Sequence, residues 1–152
     1  MLRLLKSKLR KALVFSFSDW GRFIEAYILV LAVDIGLHLL GFWRVYNLIA
    51  DKNRSRTGRP HPPEKQKEID RISSLVRTAC RNHFCRAECL HRSLVLYWLL
   101  TKRGFSVELC IGVRKDKGEF SAHAWLEYDG EVLKDSPLVR KVYSPMIRSQ
   151  RG

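Results

Sequence analysis

Residues 89–135 read CLHRSLVLYWLLTKRGFSVELCIGVRKDKGEFSAHAWLEYDGEVLKD, and this stretch decides the fold. It opens with a run that is apolar nearly all round and stops at Gly104, which is typical of a buried helix with a glycine just past its end. Two β-like segments follow at 107–114 and 120–126, and their short connection favours antiparallel pairing. The stretch therefore predicts a central helix, Cys89–Lys102, packed on an antiparallel sheet.

The order of residues along this stretch suits thiol chemistry. A cysteine, a histidine and a carboxylate can act as nucleophile, base and the group that orients the base. Cys89 lies at the predicted helix start, where the helix dipole favours negative charge. His123 lies on the second strand between two alanines, and Asp135 follows the next turn. We predict these three as the catalytic residues, with Asp129 as the weaker acid. The alternative roles are core packing, a structural histidine and a surface aspartate.

The other three cysteines have less favourable positions. Cys80 lies at a predicted helix end, Cys85 in a connection and Cys110 inside an apolar strand, where a thiol is normally inert. The spacing of residues 80, 85 and 89 lacks the paired ligands of common zinc sites, and we expect no metal and no cofactor. The start of the chain lacks a secretory signal pattern, so we expect a cytoplasmic protein with free thiols.

Composition limits the remaining classes of function. The chain has 152 residues, 46% of them hydrophobic, which suits one domain with a modest core. Its formal charge is +13, but no motif that reads nucleic acid accompanies the basic residues, and we expect no nucleic-acid partner. A basic surface also suits an anionic membrane or an acidic polypeptide.

The N-terminal part is predicted to be helical. Residues 1–17 alternate basic and apolar side chains, which indicates an amphipathic helix lying on the domain or on a membrane. Residues 23–43 are strongly apolar but interrupted by charges, which predicts either a single buried helix or a buried helix pair divided near residues 34–36, and not a membrane span. A charged, proline-containing linker at 52–63 divides residues 1–60 from the core at 61–152, which begins with a helix ending near Asn82.

The hairpin at Asp129 and Gly130 allows two registers. A two-residue turn would pair Tyr128 with Glu131 and place Asp135 on the face opposite His123. A three-residue loop would bring His123 and Asp135 directly across from each other, at the small cost of facing glutamates. We predict the three-residue loop, because the triad needs both side chains on one face.

Three elements of the stretch, C-L-x-R-S-L, I-G-V-x-K and A-H-A-W-x-E-x-D-G, resemble the lasso-peptide biosynthesis B2 proteins. The resemblance covers about residues 75–136. It implies an α+β fold, with N-terminal helices packed on a transglutaminase-like or papain-like core in which a cysteine-bearing helix lies against an antiparallel sheet. It places the family's nucleophile, base and acid on Cys89, His123 and Asp135.

The resemblance also implies a function. Such proteins are cysteine peptidases that remove the leader from a ribosomally made precursor peptide, before an ATP-dependent lasso cyclase closes a macrolactam. A leader-recognition module is fused in some members and a separate B1 protein in others. Because residues 1–60 are basic and helical, we expect the split form, with a precursor peptide, a B1 protein and a cyclase as partners and with peripheral membrane contact through the N-terminal helices.

The residues leave two other functions open. One is acyl transfer on the same scaffold, and the other is a non-catalytic module at the membrane surface. In the peptidase mechanism, the Cys89 thiolate attacks the scissile carbonyl and His123 protonates the leaving amine. The Cys89 backbone N–H and one side chain from Asn82, His83 or Arg86 would then hold the oxyanion.

Overall fold

The computed structural model describes residues 17–53, 65–84, 88–116 and 118–148. Its elements follow in the order α1 (Phe17–Leu40), α2 (Phe42–Asn53), α3 (Lys65–Asn82), α4 (Cys89–Lys102), β1 (Val107–Asp116), β2 (Glu119–Tyr128), β3 (Glu131–Val132), α5 (Val139–Val142) and β4 (Ser144–Arg148). The strands form one antiparallel sheet in the order β3-β2-β1-β4, and the predicted α+β class is confirmed. The helix predicted at 1–17 lies almost wholly outside the described residues, as does most of the linker at 52–63.

Helix α4 lies at the centre of the fold. Helices α1, α2 and α3 pack on one side of it, and strands β1 and β2 pack on the other. Its buried residues occupy every side of the helix, as its apolar sequence predicts: Ser93, Leu94, Val95, Leu96, Tyr97, Leu99, Leu100 and Thr101. The helix ends at Lys102, and Gly104 lies just past its end, as the sequence predicted. Gly104 has a φ of +86°, which glycine adopts readily. The Phe105 N–H then bonds the Leu100 carbonyl at 3.0 Å and closes the last turn.

Helix α1 is continuous through residues 34–36, so of the two predicted alternatives the structure has the single helix there. It runs to Leu40, and the chain turns at Gly41, whose φ is +77°. Glu25 and Asp34 do lie about 180° apart on an ideal helix. They lie at the two edges of the buried face formed by Ala26, Val30 and Val33, and each bonds a residue of α4. Two acidic residues flanking one buried stripe require no break.

The opposite face of α1 is exposed. Its side chains form an apolar stripe that consists of Trp20, Ile24, Ile28, Ile35 and Leu39. By length and composition alone, residues Trp20–Leu40 could cross a membrane. The prediction of a buried helix therefore holds for one face of α1 only, because the side chains of the stripe on the other face are 47% to 77% exposed.

The β2–β3 hairpin has the two-residue turn, so the predicted three-residue loop is wrong. Tyr128 pairs with Glu131 and Glu127 pairs with Val132. Asp129 and Gly130 have φ values of 49° and 81°, and two positive φ values fit the turn whose twist matches that of the strands. This register also separates Glu127 from Glu131, which the three-residue loop would have placed face to face.

The sequence did not assign the C-terminal tail, and the structure places a strand there. Strand β4 pairs with β1, with a shift in register at Gly112. A Cβ atom at Gly112 would lie 2.9 Å from the Cβ of Tyr143 and 3.0 Å from the ring of Trp125. Glycine is therefore needed where the tail crosses β1.

Glu127 is a buried carboxylate that holds this tail to the sheet. Its side chain is 5% exposed, and its Oε1 accepts hydrogen bonds from Trp125 Nε1 at 3.0 Å and Arg140 Nε at 2.9 Å. Burial acts to raise the pKa of Glu127, but these donors and the charges of Arg148 and Arg140 outweigh it and lower the pKa. Glu127 therefore stays ionised in the fold.

We expect Glu127→Gln to lower the free energy of unfolding at neutral pH by about 1–3 kcal/mol. Because the folded-state pKa lies below the ordinary 4.5, the carboxylate stabilises the fold above that pH, and the stabilisation is lost as the pH falls through the folded-state pKa. Urea unfolding between about pH 3 and pH 7 should therefore show a steeper acid loss for wild type than for Glu127→Gln. Parallel pH curves for the two proteins would contradict this role.

Candidate active site

Cys89 is the first residue of α4, as the sequence predicted. The residue before it, Glu88, is the N-cap and has extended backbone angles. The Glu88 carboxylate accepts the backbone N–H of His91, while the Glu88 N–H donates to His91 Nδ1 at 3.3 Å. This reciprocal capping box closes the first turn of the helix. The thiol is therefore carried on an ordered helix start, among backbone N–H groups that have no partner within the helix.

His123 and Asp135 form a hydrogen bond. His123 Nε2 lies 2.9 Å from Asp135 Oδ2, and the two side chains are 20% and 19% exposed. Since an ionised carboxylate can only accept, His123 Nε2 carries the proton in this contact. His123 Nδ1 is then the ring nitrogen available to a reacting group.

The backbone at Lys134, and not the strand register, brings Asp135 to His123. Strand β3 ends at Val132, and its pairing continues only to the bond from Leu133 N–H to the Leu126 carbonyl at 2.8 Å. Lys134 then adopts a left-handed φ of 51° and turns the chain out of the ladder. The contact between His123 and Asp135 therefore does not require a three-residue loop, because the strand ends before residue 135.

Arg92 is a site residue to which the sequence reasoning gave no role. Its Nη2 donates to Asp135 Oδ2 at 3.1 Å, and the other carboxylate oxygen accepts the Ser136 N–H at 2.8 Å. Next to it, the buried Ser93 Oγ donates to the Ala124 carbonyl at 2.9 Å. The C-L-x-R-S-L element could have indicated Arg92, because Arg92 lies three positions after Cys89 and therefore on the same side of the helix.

Cys89 and His123 line one open cleft of about 350 Å³, within the usual range for ligand sites. The other lining residues are Arg77, Cys80, Arg81, Glu88 and Arg92. Asp135 lies behind His123 and lines a separate cavity of about 90 Å³ together with Arg92. The cleft wall on α3 is basic, so the surroundings of the thiol carry an excess of positive charge.

Burial raises the thiol pKa of the other two described cysteines, Cys80 and Cys110. Cys80 lies on the same cleft, but burial raises the pKa of its thiol despite the nearby charge of Arg92. Cys110 is fully buried, and burial together with the charge of Glu127 raises its pKa to about 12. A thiol with a raised pKa is a poor nucleophile. Cys85 lies outside the described residues.

Two of the three side chains predicted to help hold an oxyanion, Asn82 and His83, do not line the cleft. Asn82 Nδ2 donates to the Thr78 carbonyl of its own helix at 2.7 Å. His83 stacks against Tyr27 and Phe84, and neither Asn82 nor His83 is among the described residues that line the cleft. Arg86 lies outside the described residues. Of the predicted oxyanion donors in the described part of the site, the Cys89 backbone N–H remains, because Cys89 lines the cleft.

Comparison with known proteins gives the family. The family model described as the transglutaminase-like superfamily matches residues 30–148, which include α4, the whole sheet and both candidate residues of the cleft. The chain belongs to the transglutaminase-like superfamily. The predicted transglutaminase-like core is therefore confirmed, and the match begins inside α1.

A curated relative is similar over part of this superfamily domain. The Microcin J25-processing protein McjB of Escherichia coli is 32% identical over 75 residues, which are 49% of this chain and 33% of the relative. The matched region thus spans about a third of that protein's length. No solved structure matches the chain. The local identity supports the resemblance to lasso-peptide B2 proteins.

The left-handed backbone at Lys134 can be tested with two substitutions that both remove the lysine. We expect Lys134→Gly to be more stable than Lys134→Val by about 1 kcal/mol, because a β-branched residue is strained at positive φ. Both variants lose the ion pair from Lys134 Nζ to Asp70, so that contact cancels in the difference. Chemical denaturation measures the difference. A valine variant as stable as the glycine variant would contradict the turn that places Asp135.

Proposed function

We propose that this chain is a cysteine peptidase that removes the leader from a ribosomally synthesised lasso precursor peptide. One observation carries the proposal: Cys89 at the start of α4 and His123, itself bonded to Asp135, line the same cleft. The superfamily and the local identity to a protein named for microcin J25 processing support it. Along the chain Cys89, His123 and Asp135 follow one another as the proposed nucleophile, base and orienting acid. In the fold, His123 shares the cleft with Cys89 and bonds Asp135.

In the proposed reaction the Cys89 thiolate attacks the carbonyl carbon of the scissile peptide bond. The negative charge moves to the carbonyl oxygen, where the Cys89 backbone N–H at the helix start can stabilise it. His123, held in one tautomer by Asp135, takes the thiol proton of Cys89 on Nδ1 as the thiolate forms, and then donates that proton to the leaving amine as the C–N bond breaks. Water, activated by His123, then hydrolyses the thioester and releases the leader with a free carboxylate. The released core begins with a free amine, which the macrolactam reaction requires.

Alanine substitution of each cysteine tests this assignment. We expect Cys89→Ala to lower cleavage of the precursor by about a thousandfold or more, while Cys80→Ala, in the same cleft, retains activity within a few-fold. Mass spectrometry of the products separates hydrolysis, which gives two peptides, from acyl transfer to an added amine, which gives an adduct. Full activity of Cys89→Ala, or loss of activity in a folded Cys85→Ala, would overturn the assignment.

We also propose that a separate leader-binding B1 protein delivers the precursor, and that a lasso cyclase takes the released core. Such a partner raises the effective concentration of the cut site at the cleft. We expect weak cleavage by the purified chain and at least about tenfold faster cleavage when the leader-binding protein is added. A mutant leader that the partner cannot bind serves as the control. Equal rates with and without the partner would show that the chain recognises the precursor unaided.

We also propose that the chain is cytoplasmic and makes a peripheral membrane contact, which the exposed stripe on α1 supports. An apolar helix face on a chain of formal charge +13 suits the surface of a membrane that contains anionic lipids. The helix would lie along the surface, because its other face packs on α3 and α4. The chain would then bind the membrane and also cleave the precursor, unlike the alternative of a non-catalytic module at the membrane surface.

Flotation with vesicles tests this contact. We expect the chain to float with vesicles that contain phosphatidylserine, less with phosphatidylcholine alone, and much less after Ile28→Glu. The matched control is Leu138→Glu, because Leu138 is 58% exposed and Ile28 is 59% exposed, but Leu138 lies outside the stripe. If both glutamate variants float like wild type, the stripe is not the contact.

A further inference from the structure

Asp34 is an acidic residue inside the most apolar helix of the chain, and it faces the helix that carries Cys89. Its Oδ1 lies 3.0 Å from His91 Nε2, and the two side chains are 18% and 13% exposed. A carboxylate with this little exposure costs free energy unless it is bonded. The contact joins positions 57 residues apart and links α1 to the first turn of α4.

The contacts of His91 define its tautomer. His91 Nδ1 accepts the backbone N–H of Glu88 at 3.3 Å, so Nδ1 carries no proton. The ring proton therefore lies on Nε2 and is donated to the Asp34 carboxylate. An ionised carboxylate can only accept, and so it stabilises this tautomer over the other.

The imidazole thereby holds the chain just ahead of the thiol. The Glu88 N–H bonds the ring of His91, and the Glu88 carbonyl accepts the Arg92 N–H at 3.2 Å. Both peptide groups that flank the Glu88 Cα are thus bonded. The peptide group that joins Glu88 to Cys89 contains the Cys89 N–H. The direction of this N–H therefore depends on the Glu88 conformation that the His91 ring stabilises.

We propose that Asp34 and His91 form a positioning pair, in which Asp34 fixes the tautomer of His91 and His91 fixes the peptide group that contains the Cys89 N–H. This proposal rests on the proposed role of Cys89 as nucleophile. It assigns the N-terminal helix a part in the reaction, because α1 supplies the residue that sets the geometry of the helix start. Neither residue touches the substrate, and both act through Cys89.

The first test removes each half of the pair. We expect Asp34→Asn and His91→Leu to lower kcat for precursor cleavage by about tenfold to a hundredfold with little change in KM, because misplacing a reacting group costs rate at the chemical step. His91→Gln should stay within a few-fold of wild type, since glutamine at this position of a capping box also accepts the N-cap N–H. The control is His38→Asn, because His38 is 76% exposed, lies 3.7 Å from the same carboxylate and forms a hydrogen bond with the Asp34 carbonyl of its own helix.

A double variant separates positioning from a general structural role. Glutamine has no tautomers, so Asp34→Asn should have little further effect on kcat in the His91→Gln protein. If Asp34 only stabilised the packing of α1, its substitution would cost the same in both backgrounds. Equal losses in both backgrounds would therefore overturn the proposal.

Two measurements test the pair without relying on cleavage. Ring ¹⁵N NMR shifts should show His91 protonated at Nε2 in wild type and a mixture of tautomers in Asp34→Asn. Hydrogen exchange at the Glu88 amide should be at least about tenfold faster in Asp34→Asn than in wild type or His38→Asn. A wild-type ring protonated at Nδ1, or unchanged exchange, would overturn the pair. If these results hold but wild type cleaves no precursor, the proposed function fails and the pair stands.

Discussion

The burial of helix α4 is the constraint on which the rest of the structure depends. Its sequence is apolar on nearly every side, and such a helix is stable in water only when other elements cover it all round. Three helices cover one side, and strands β1 and β2 cover the other. The first turn of this helix carries Cys89, and the covering strand β2 carries His123. Burying the helix therefore brings the two proposed catalytic residues to one cleft.

Polar contacts at the two ends of α4 fix its position within this apolar core. At the C-terminal end, Lys102 Nζ bonds Glu25 of α1 at 2.7 Å. At the N-terminal end, His91 bonds Asp34 of α1, and Arg92 bonds Asp135 beyond β3. The Lys102–Glu25 pair is exposed and contributes little free energy, whereas the partly buried contacts at the N-terminal end define geometry, because leaving one member unpaired is costly. The apolar core thus supplies the stability, and these contacts supply the alignment that the proposed chemistry requires.

Much of this arrangement follows from the sequence, and the parts that do not have identifiable causes. Periodicity and the terminal glycine predicted α4 and its start at Cys89, because those signals are local. The hairpin register was predicted wrongly because the side of Asp135 was assumed to follow the strand, whereas Lys134 leaves the ladder through a left-handed φ. The partners of Asp34 and Arg92 lie 57 and 43 residues away, and no local pattern encodes contacts of that range.

We propose that Cys89 forms the covalent intermediate in the cleft beside His123. The most direct measurement uses a synthetic leader peptide that ends in a chloromethyl ketone, from which the thiolate displaces chloride to form a stable thioether, followed by peptide mapping of the modified protein by mass spectrometry. We expect one adduct, on Cys89. The His123→Ala substitution should strongly slow formation of this adduct, and an excess of unmodified leader should suppress it. Labelling of Cys80 or Cys85 in preference to Cys89, at a rate that His123→Ala does not change, would contradict it.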